Sequence, residues 1–280
     1  MQAFNYHSHT YRCGHADLDM IDEDYVKDYI KMGFKRMAFT DHCPEKNEID
    51  KRNNMRMKYS KRKEYLENIQ ALKEKYAGQI EIQSGYEIEY LPGEEENLKE
   101  LKEETDKLIL GQHFIYDDNK QLIIFGKHDF SDKELLRYAE YIEQAMKLKL
   151  PDIIAHPDFC MLKRKTFGEI EAKVAHLICK AAEKYGVPLE INLNNIFKYT
   201  YYEKGVLNHN PIEEQKKKLQ KVVYPCKDFW KIASEYDIHV LYGIDAHHKG
   251  QVVLFKELVE LANEIIGKDV IEKLNFIDIK

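Results

Sequence analysis

The opening run Phe4-Asn5-Tyr6-His7-Ser8-His9 sets two histidines one residue apart. On a β-strand, alternate side chains share a face, so both imidazoles would aim at one point. Such a pair suits a metal ion. Similar polar residues recur just after apolar runs. Asp41-His42 follows Met37-Ala38-Phe39, and Glu87 stands in Gly85-Tyr86-Glu87-Ile88-Glu89. Gln112-His113 follows Leu108-Ile109-Leu110-Gly111, and Ala155-His156-Pro157-Asp158 follows Ile153-Ile154. The last of the series is Gly243-Ile244-Asp245-Ala246-His247. Any one of these histidines alone would read as structural; their recurrence points to a metal centre.

Imidazole and carboxylate together suit zinc, manganese or iron, whereas thiolate sets favour structural zinc. The candidates outnumber what one tetrahedral ion can use, so two or three ions sharing a bridging carboxylate are expected. Glu87, the one glutamate among the strand-end residues, is the natural bridge. His15 and Asp17 extend the first loop, and one or both could reach a further ion. His128, His176, His209, His239 and His248 read as structural, and Cys13 and Cys43 as small loop residues beside the site.

These residues need elements to bring them together. The strand candidates are Phe4–His9, Arg36–Thr40, Ile80–Ile88, Lys107–Gly111, Asp152–Ala155, Pro188–Leu193 and His239–Ile244. Helical patterns lie between them. Asp22 is a candidate cap for Glu23–Met32, with Gly33 at its end, and Ser60 for a helix running through Tyr76. Ser131 opens a helix to about Lys149. Further helices are expected over Glu169–Tyr185, Cys226–Tyr236 and Lys249–Ile266, and Glu94-Glu95-Glu96 reads as a solvated helix start.

Strand-then-helix units in series predict a parallel α/β architecture. No Gly-rich phosphate loop follows the first strand, which argues against a dinucleotide-binding sheet. The polar residues fall at the C-terminal ends of different strands, where β/α barrels assemble their active sites. The outer strands of an open sheet could hardly converge on one point, so a closed or nearly closed seven-stranded barrel in one domain, 1–280, is expected.

The bulk properties narrow the function further. With 43 basic and 49 acidic residues the net charge is −6, and no basic stretch suggests nucleic-acid binding. Five dispersed cysteines without a C-x-x-C pair fit reduced thiols. No leader pattern or membrane-length apolar run is apparent, so a cytoplasmic enzyme is expected, with neither a nucleic-acid nor a membrane partner.

Taken in order, H-x-H, T-D-H, G-x-E, a lone His, A-H-P-D and G-x-D-x-H resemble the polymerase and histidinol phosphatase (PHP) family, over nearly the whole chain. The resemblance implies a distorted (β/α)7 barrel, a TIM-like fold, with a trinuclear metal centre. It implies that His7, His9 and Asp245 hold one ion, bridged by Glu87 to a second on His113 and His156. His42 and His247 would hold the third, completed by His15 or Asp17. Asp245, His42 and Glu87 are the expected catalytic residues.

Within the family, the stretch H-T-x-x-C-G-H-A looks like the monofunctional histidinol-phosphate phosphatases, as do Leu189-Glu190-Ile191-Asn192, Lys198 and Tyr224-Pro225. Leu193-Asn194-Asn195 depart from the subgroup's usual small residue and glycine. The implied activity is metal-dependent hydrolysis of L-histidinol phosphate to L-histidinol and phosphate in histidine biosynthesis. Arg164 and Lys198 are candidate phosphate cations, and Glu190, Asn192 and Asn194 candidate partners of the amino-imidazole head. The alternatives are a nuclease or a phosphotyrosine phosphatase on the same centre, or a non-catalytic module. Complete ligand positions disfavour the last.

Overall fold

The computed structural model describes residues 2–44, 55–127, 129–203 and 205–277. Its framework is a parallel sheet. In chain order its strands are β1 (Phe4–Asn5), β2 (Arg36–His42), β3 (Glu81–Ile88), β4 (Lys107–Leu110), β7 (Ile153–Ile154), β8 (Leu189–Asn192), β11 (His239–Gly243) and β12 (Asn275–Phe276). They pair in that order, each beside the next. Two antiparallel hairpins stand apart from it: β5 (Phe114–Tyr116) with β6 (Leu122–Ile124), and β9 (Tyr202–Glu203) with β10 (Val206–Leu207). All seven expected strands are present. The eighth, β12, and both hairpins come in addition.

The sheet curls until its ends meet, and the junction is unusual. Beside the start of β11 lies β12, with Val240 paired to Phe276. At the other end, beyond β11, a single parallel bridge joins Ser8 to Ala246. Between them, side-chain amides stand in for backbone. Gln2 donates from Nε2 to Tyr242 O (2.7 Å), and its Oε1 accepts from Tyr242 N (2.9 Å). Asn5 Oδ1 accepts from Ile244 N at 2.8 Å.

Around the sheet run α1 (Asp22–Lys31), α2 (Arg62–Lys75), α3 (Glu95–Glu104), α4 (Asp132–Lys147), α5 (Glu169–Tyr185), α6 (Asn194–Thr200), α7 (Ile212–Lys216), α8 (Lys227–Ala233), α9 (Phe255–Ile266) and α10 (Lys268–Ile271). Ser131 caps α4 as expected, in a capping box with Glu134. The helix buries Leu135, Tyr138, Ala139, Ile142 and Met146, three or four apart, on one stripe. Burying an aliphatic or aromatic side chain of this size contributes about 1.5–3 kcal/mol. Two expected caps act differently. Asp22 spends its carboxylate on Arg12 Nη1 at 2.8 Å, leaving Ile21 to precede α1. Ser60 falls in a 3-10 turn, so α2 begins after Lys61.

Register carries the site. In a parallel ladder, paired residues present side chains to the same face. The row His42–Glu87–Ile109–Ile153 is continuous across β2, β3, β4 and β7, and Glu190 pairs with Leu241. Phe4, Tyr6, Ala38, Ile109, Ile153, Ala155 and Leu241 form their own apolar cluster inside the curl. The remaining core packs the helices on the outside. No helix among the described residues is long and apolar enough to cross a membrane.

Candidate metal centre

At the C-terminal end of the strands the polar residues converge. His7 Nε2 lies 3.1 Å from His9 Nε2, 3.4 Å from Asp245 Oδ1 and 3.6 Å from Glu87 Oε2. His9 Nε2 lies 3.2 Å from Asp245 Oδ1 and 3.4 Å from Glu87 Oε2. Four ligands set 2.0–2.1 Å from a tetrahedral ion stand about 3.4 Å apart. The separations of His7, His9, Asp245 and Glu87 would suit ligands of a single ion.

Glu87 divides its carboxylate. Oε2 faces His7 and His9, while Oε1 lies 2.9 Å from His156 Nε2 and 3.8 Å from His113 Nε2. A third group lies on the first-loop side. The His15 ring is centred 4.5 Å from that of His247 and 5.2 Å from that of His42.

Hydrogen bonds fix which imidazole nitrogen faces inward. His247 Nδ1 lies 2.9 Å from Asp245 O, and His15 Nδ1 lies 3.2 Å from Cys13 O. A carbonyl only accepts, so both Nδ1 atoms carry the proton and both Nε2 atoms keep a lone pair. His7 Nδ1 likewise meets Glu190 Oε2 (2.8 Å), and His113 Nδ1 meets Glu89 Oε1 (2.8 Å). Carboxylates behind imidazoles orient a metal-binding ring and make it more basic.

Several inward atoms lack partners among the described residues. Glu87 Oε2, Asp245 Oδ1 and His247 Nε2 are buried without a hydrogen bond, and His42 Nδ1, 2.8 Å from Glu87 Oε2, is out of hydrogen-bonding direction. Leaving one such atom unsatisfied costs about 1–3 kcal/mol. Cations would satisfy them all, and the donor set fits.

Electrostatics agree. Burial, helped by His247, pulls His9 down to about 3. Burial together with His247 and His9 takes His15 to about 2, and burial holds His42 well below its ordinary value. These rings stay neutral, as ligands must. At His7 burial also opposes the proton, yet Glu190, Asp245 and Glu87 outweigh it and raise the pKa well above normal. For Glu87, burial is outweighed by His42, His7 and His113, which hold the carboxyl well below its usual range. A position where carboxylates attract a proton so strongly would equally attract a metal cation.

The backbone bends to make this arrangement. His156 and Asp245 have φ of 29° and 51°, in the left-handed region. Each such residue costs about 1–3 kcal/mol. Two glycines are required by close approach. A Cβ at Gly111 would lie 1.8 Å from Glu87 Oε1, and one at Gly243 would lie 2.0 Å from Glu190 Oε2.

Several expected site residues sit elsewhere. Asp17 points away from the cluster: its oxygens meet His248 Nδ1 (2.9 Å) and Lys249 N (2.8 Å). Glu190 and Asn192 are buried behind the candidate ligands and do not line the cavity. Asn192 Nδ2 donates to Glu190 Oε1 and Asp245 Oδ2, and Asn194 Nδ2 donates to Asp245 Oδ2 at 3.0 Å. They hold Asp245 and Glu190 in place, although Asn194 also reaches the cavity wall. Arg164 is drawn off the site by Glu171, Asp132 and Phe130 O. Lys198 does line the cavity, with its side chain exposed. His128 lies outside the described residues.

Glu89 and Arg56, outside the expected set, join the cluster. Arg56 Nη2 donates to Glu89 Oε1 at 2.7 Å, and Glu89 Oε2 accepts from His113 N at 2.7 Å. The signal was present: Glu89 lies two residues beyond Glu87 in the same apolar run. Because Glu190 steadies His7, Glu190→Gln should lower kcat/KM about 10–100-fold while the fold persists. Assays beside a thermal melt would check this, and unchanged activity would show that His7 needs no such support.

A cavity of about 380 Å³ opens over the cluster. His15, His42, Glu87, His113, His156, Asp245 and His247 form its floor. Phe114, Phe125 and Phe159 stand in its wall, with Arg56, Lys127 and Lys198 among the cations that line it. Phe114 and Phe125 come from the β5–β6 hairpin and its exit.

Residues 5–194 match the family described as PHP domain. A Deinococcus radiodurans protein named "Probable histidinol-phosphatase" is 26% identical over 271 residues, covering 94% of each chain. A Bacillus subtilis protein named histidinol-phosphatase is 25% identical over 283 residues, covering 90% of this chain and 96% of its own. The solved structure of a Lactococcus lactis histidinol phosphate phosphatase, complexed with zinc, L-histidinol and phosphate, matches with a TM-score of 0.63. It is 15% identical and covers 93% of this chain and 94% of its own, a likeness of fold.

Proposed function

Because the chain belongs to the PHP domain family, we propose that it is a metal-dependent phosphomonoesterase that hydrolyses L-histidinol phosphate to L-histidinol and inorganic phosphate. The observation that carries this reading is the divided carboxylate of Glu87, one oxygen turned to His7 and His9 and the other to His156. The curated relatives bearing the histidinol-phosphatase name align along almost their whole length, which supports the same substrate.

On this reading His7, His9, Asp245 and Glu87 would hold one cation, and Glu87, His113 and His156 a second. His15, His42 and His247 would hold a third, since Asp17 is engaged elsewhere. Bound there, zinc, manganese or iron would make water more acidic and neutralise phosphoryl charge. The protein's own groups do the rest. Lys198, on the cavity wall, offers its charge to the phosphate. Phe114, Phe125 and Phe159 give the organic part an apolar, aromatic surface and keep bulk water from the cluster. Arg56 is held by Glu89 and steadies His113 through it.

The test is a comparison of esters on metal-analysed protein. kcat/KM for L-histidinol phosphate should exceed that for 4-nitrophenyl phosphate by about a hundredfold or more, since buried complementary contacts discriminate strongly. Equal values would move the reading to an aryl-phosphate esterase, and faster cleavage of a nucleic-acid diester to a nuclease.

A further inference from the structure

Tyr224 is a polar group of the cavity that the scheme above leaves without work. Its side chain is 5% exposed and stands in the cavity wall. Its ring is centred 6.2 Å from His156 and 5.7 Å from Phe159, between the ligand cluster and the aromatic surface. The phenol makes no hydrogen bond among the described residues, and the oxygen is not sealed off from the cavity as Tyr25 Oη and Tyr86 Oη are sealed in the core.

The backbone beneath it is fastened on both sides. Asn195 Oδ1, from α6, accepts from Val223 N (2.9 Å) and Tyr224 N (3.4 Å). Asp158 Oδ2, just past β7, accepts from Cys226 N (2.6 Å) and Trp230 Nε1 (3.0 Å). A buried polar group held this firmly, yet given no partner, is preorganised for a ligand.

We infer that the Tyr224 hydroxyl donates a hydrogen bond to the bridging ester oxygen of the substrate, with Asn195 as the residue that positions it. The inference rests on the phosphatase reading. In hydrolysis, water supplies the oxygen that forms the new bond to phosphorus. The bond from phosphorus to the ester oxygen breaks, and its electron pair stays on that oxygen. A water proton finally converts it to the alcohol. Negative charge grows on the ester oxygen meanwhile, and a fixed O–H dipole aimed there stabilises the transition state more than the ground state. The location fits, because phosphate at the cluster and an organic group against Phe159 would leave the ester oxygen between them. Lys198 and Lys127, exposed on the cavity wall, suit the phosphate charge instead.

The experiment compares wild type and Tyr224→Phe on L-histidinol phosphate, 2-aminoethyl phosphate and 4-nitrophenyl phosphate. An alkoxide leaving group needs the hydrogen bond, whereas nitrophenolate carries its own charge. The variant should lose about a hundredfold in kcat/KM on the alkyl esters and less than about threefold on the aryl ester. Metal content and melting temperature should be unchanged, since the hydroxyl has no partner to lose. Asn195→Ala should show the same alkyl-selective loss, smaller in size, and Asn195→Asp, which keeps the acceptor oxygen, should restore most of it. Equal losses on alkyl and aryl esters, no loss on either, or a metal-depleted variant would overturn the assignment while leaving the phosphatase reading intact. A wild type that cleaves the other two esters but not L-histidinol phosphate would overturn the substrate reading, and the alkyl–aryl contrast would still decide Tyr224. Failure to cleave any monoester would overturn both.

Discussion

Glu87→Gln is expected to reduce kcat by about three orders of magnitude or more, a loss of roughly 4 kcal/mol of transition-state stabilisation. The amide keeps the size of the side chain but surrenders its charge and offers one acceptor oxygen instead of two. The two sides that Glu87 now faces, His7 and His9 on one and His156 on the other, would lose their common carboxylate together. Elemental analysis should therefore show depletion at more than one position, from the two or three ions expected for wild type. His176, exposed on α5 and hydrogen-bonded to Tyr236 Oη, is the control. His176→Gln should leave turnover and metal content nearly unchanged. Comparable losses from both substitutions would contradict the placement of Glu87 at the centre.

Gly111→Ala should be almost as damaging, although it removes no functional group. The added Cβ would stand 1.8 Å from Glu87 Oε1 and within 3 Å of its Cδ and Cγ. β4 cannot recede, because Ala155 N is bonded to Leu110 O at 2.9 Å and Gly111 N to Ile88 O at 3.1 Å. The carboxylate must move, and an ångström of displacement at a catalytic group costs about a hundredfold in rate. Activity should fall by that factor or more, with metal content reduced and far-UV circular dichroism preserved. A fully metallated, fully active Gly111→Ala protein would mean that the Glu87 position is not strict.

Much of the cluster is legible because each candidate ligand lies in or just after an apolar run, so that strand ends announce themselves. His42, Glu87, His113, His156, Asp245 and His247 are brought together from such positions on different strands. What lies behind them was less visible. Glu190 reads in the sequence as a polar strand residue suited to substrate, whereas the register beside β11 and the missing side chain of Gly243 turn it towards His7. Arg164 follows β7 at a suitable distance for phosphate, but Glu171 in the first turn of α5 claims it. His15 and Asp17 differ only in which direction the first loop turns, a matter decided by His248, far along the chain. The β5–β6 hairpin lies outside the expected strands although Phe114-Ile115-Tyr116 and Leu122-Ile123-Ile124 flank a polar turn, the ordinary signature of such a pair.

The junction of β1 with β11 has one more implication. Gln2 and Tyr242 are 240 residues apart in sequence, so this is the costliest loop the chain must close, and little ladder rewards it. The proposed ligands straddle it, with His7 and His9 on one lip and Asp245 and His247 on the other. Cations binding there would rivet the hoop shut, and their affinity would be drawn partly from finishing the fold. Metal scarcity would then act as mild denaturation confined to one seam, and the first strand would be the part of the barrel to let go.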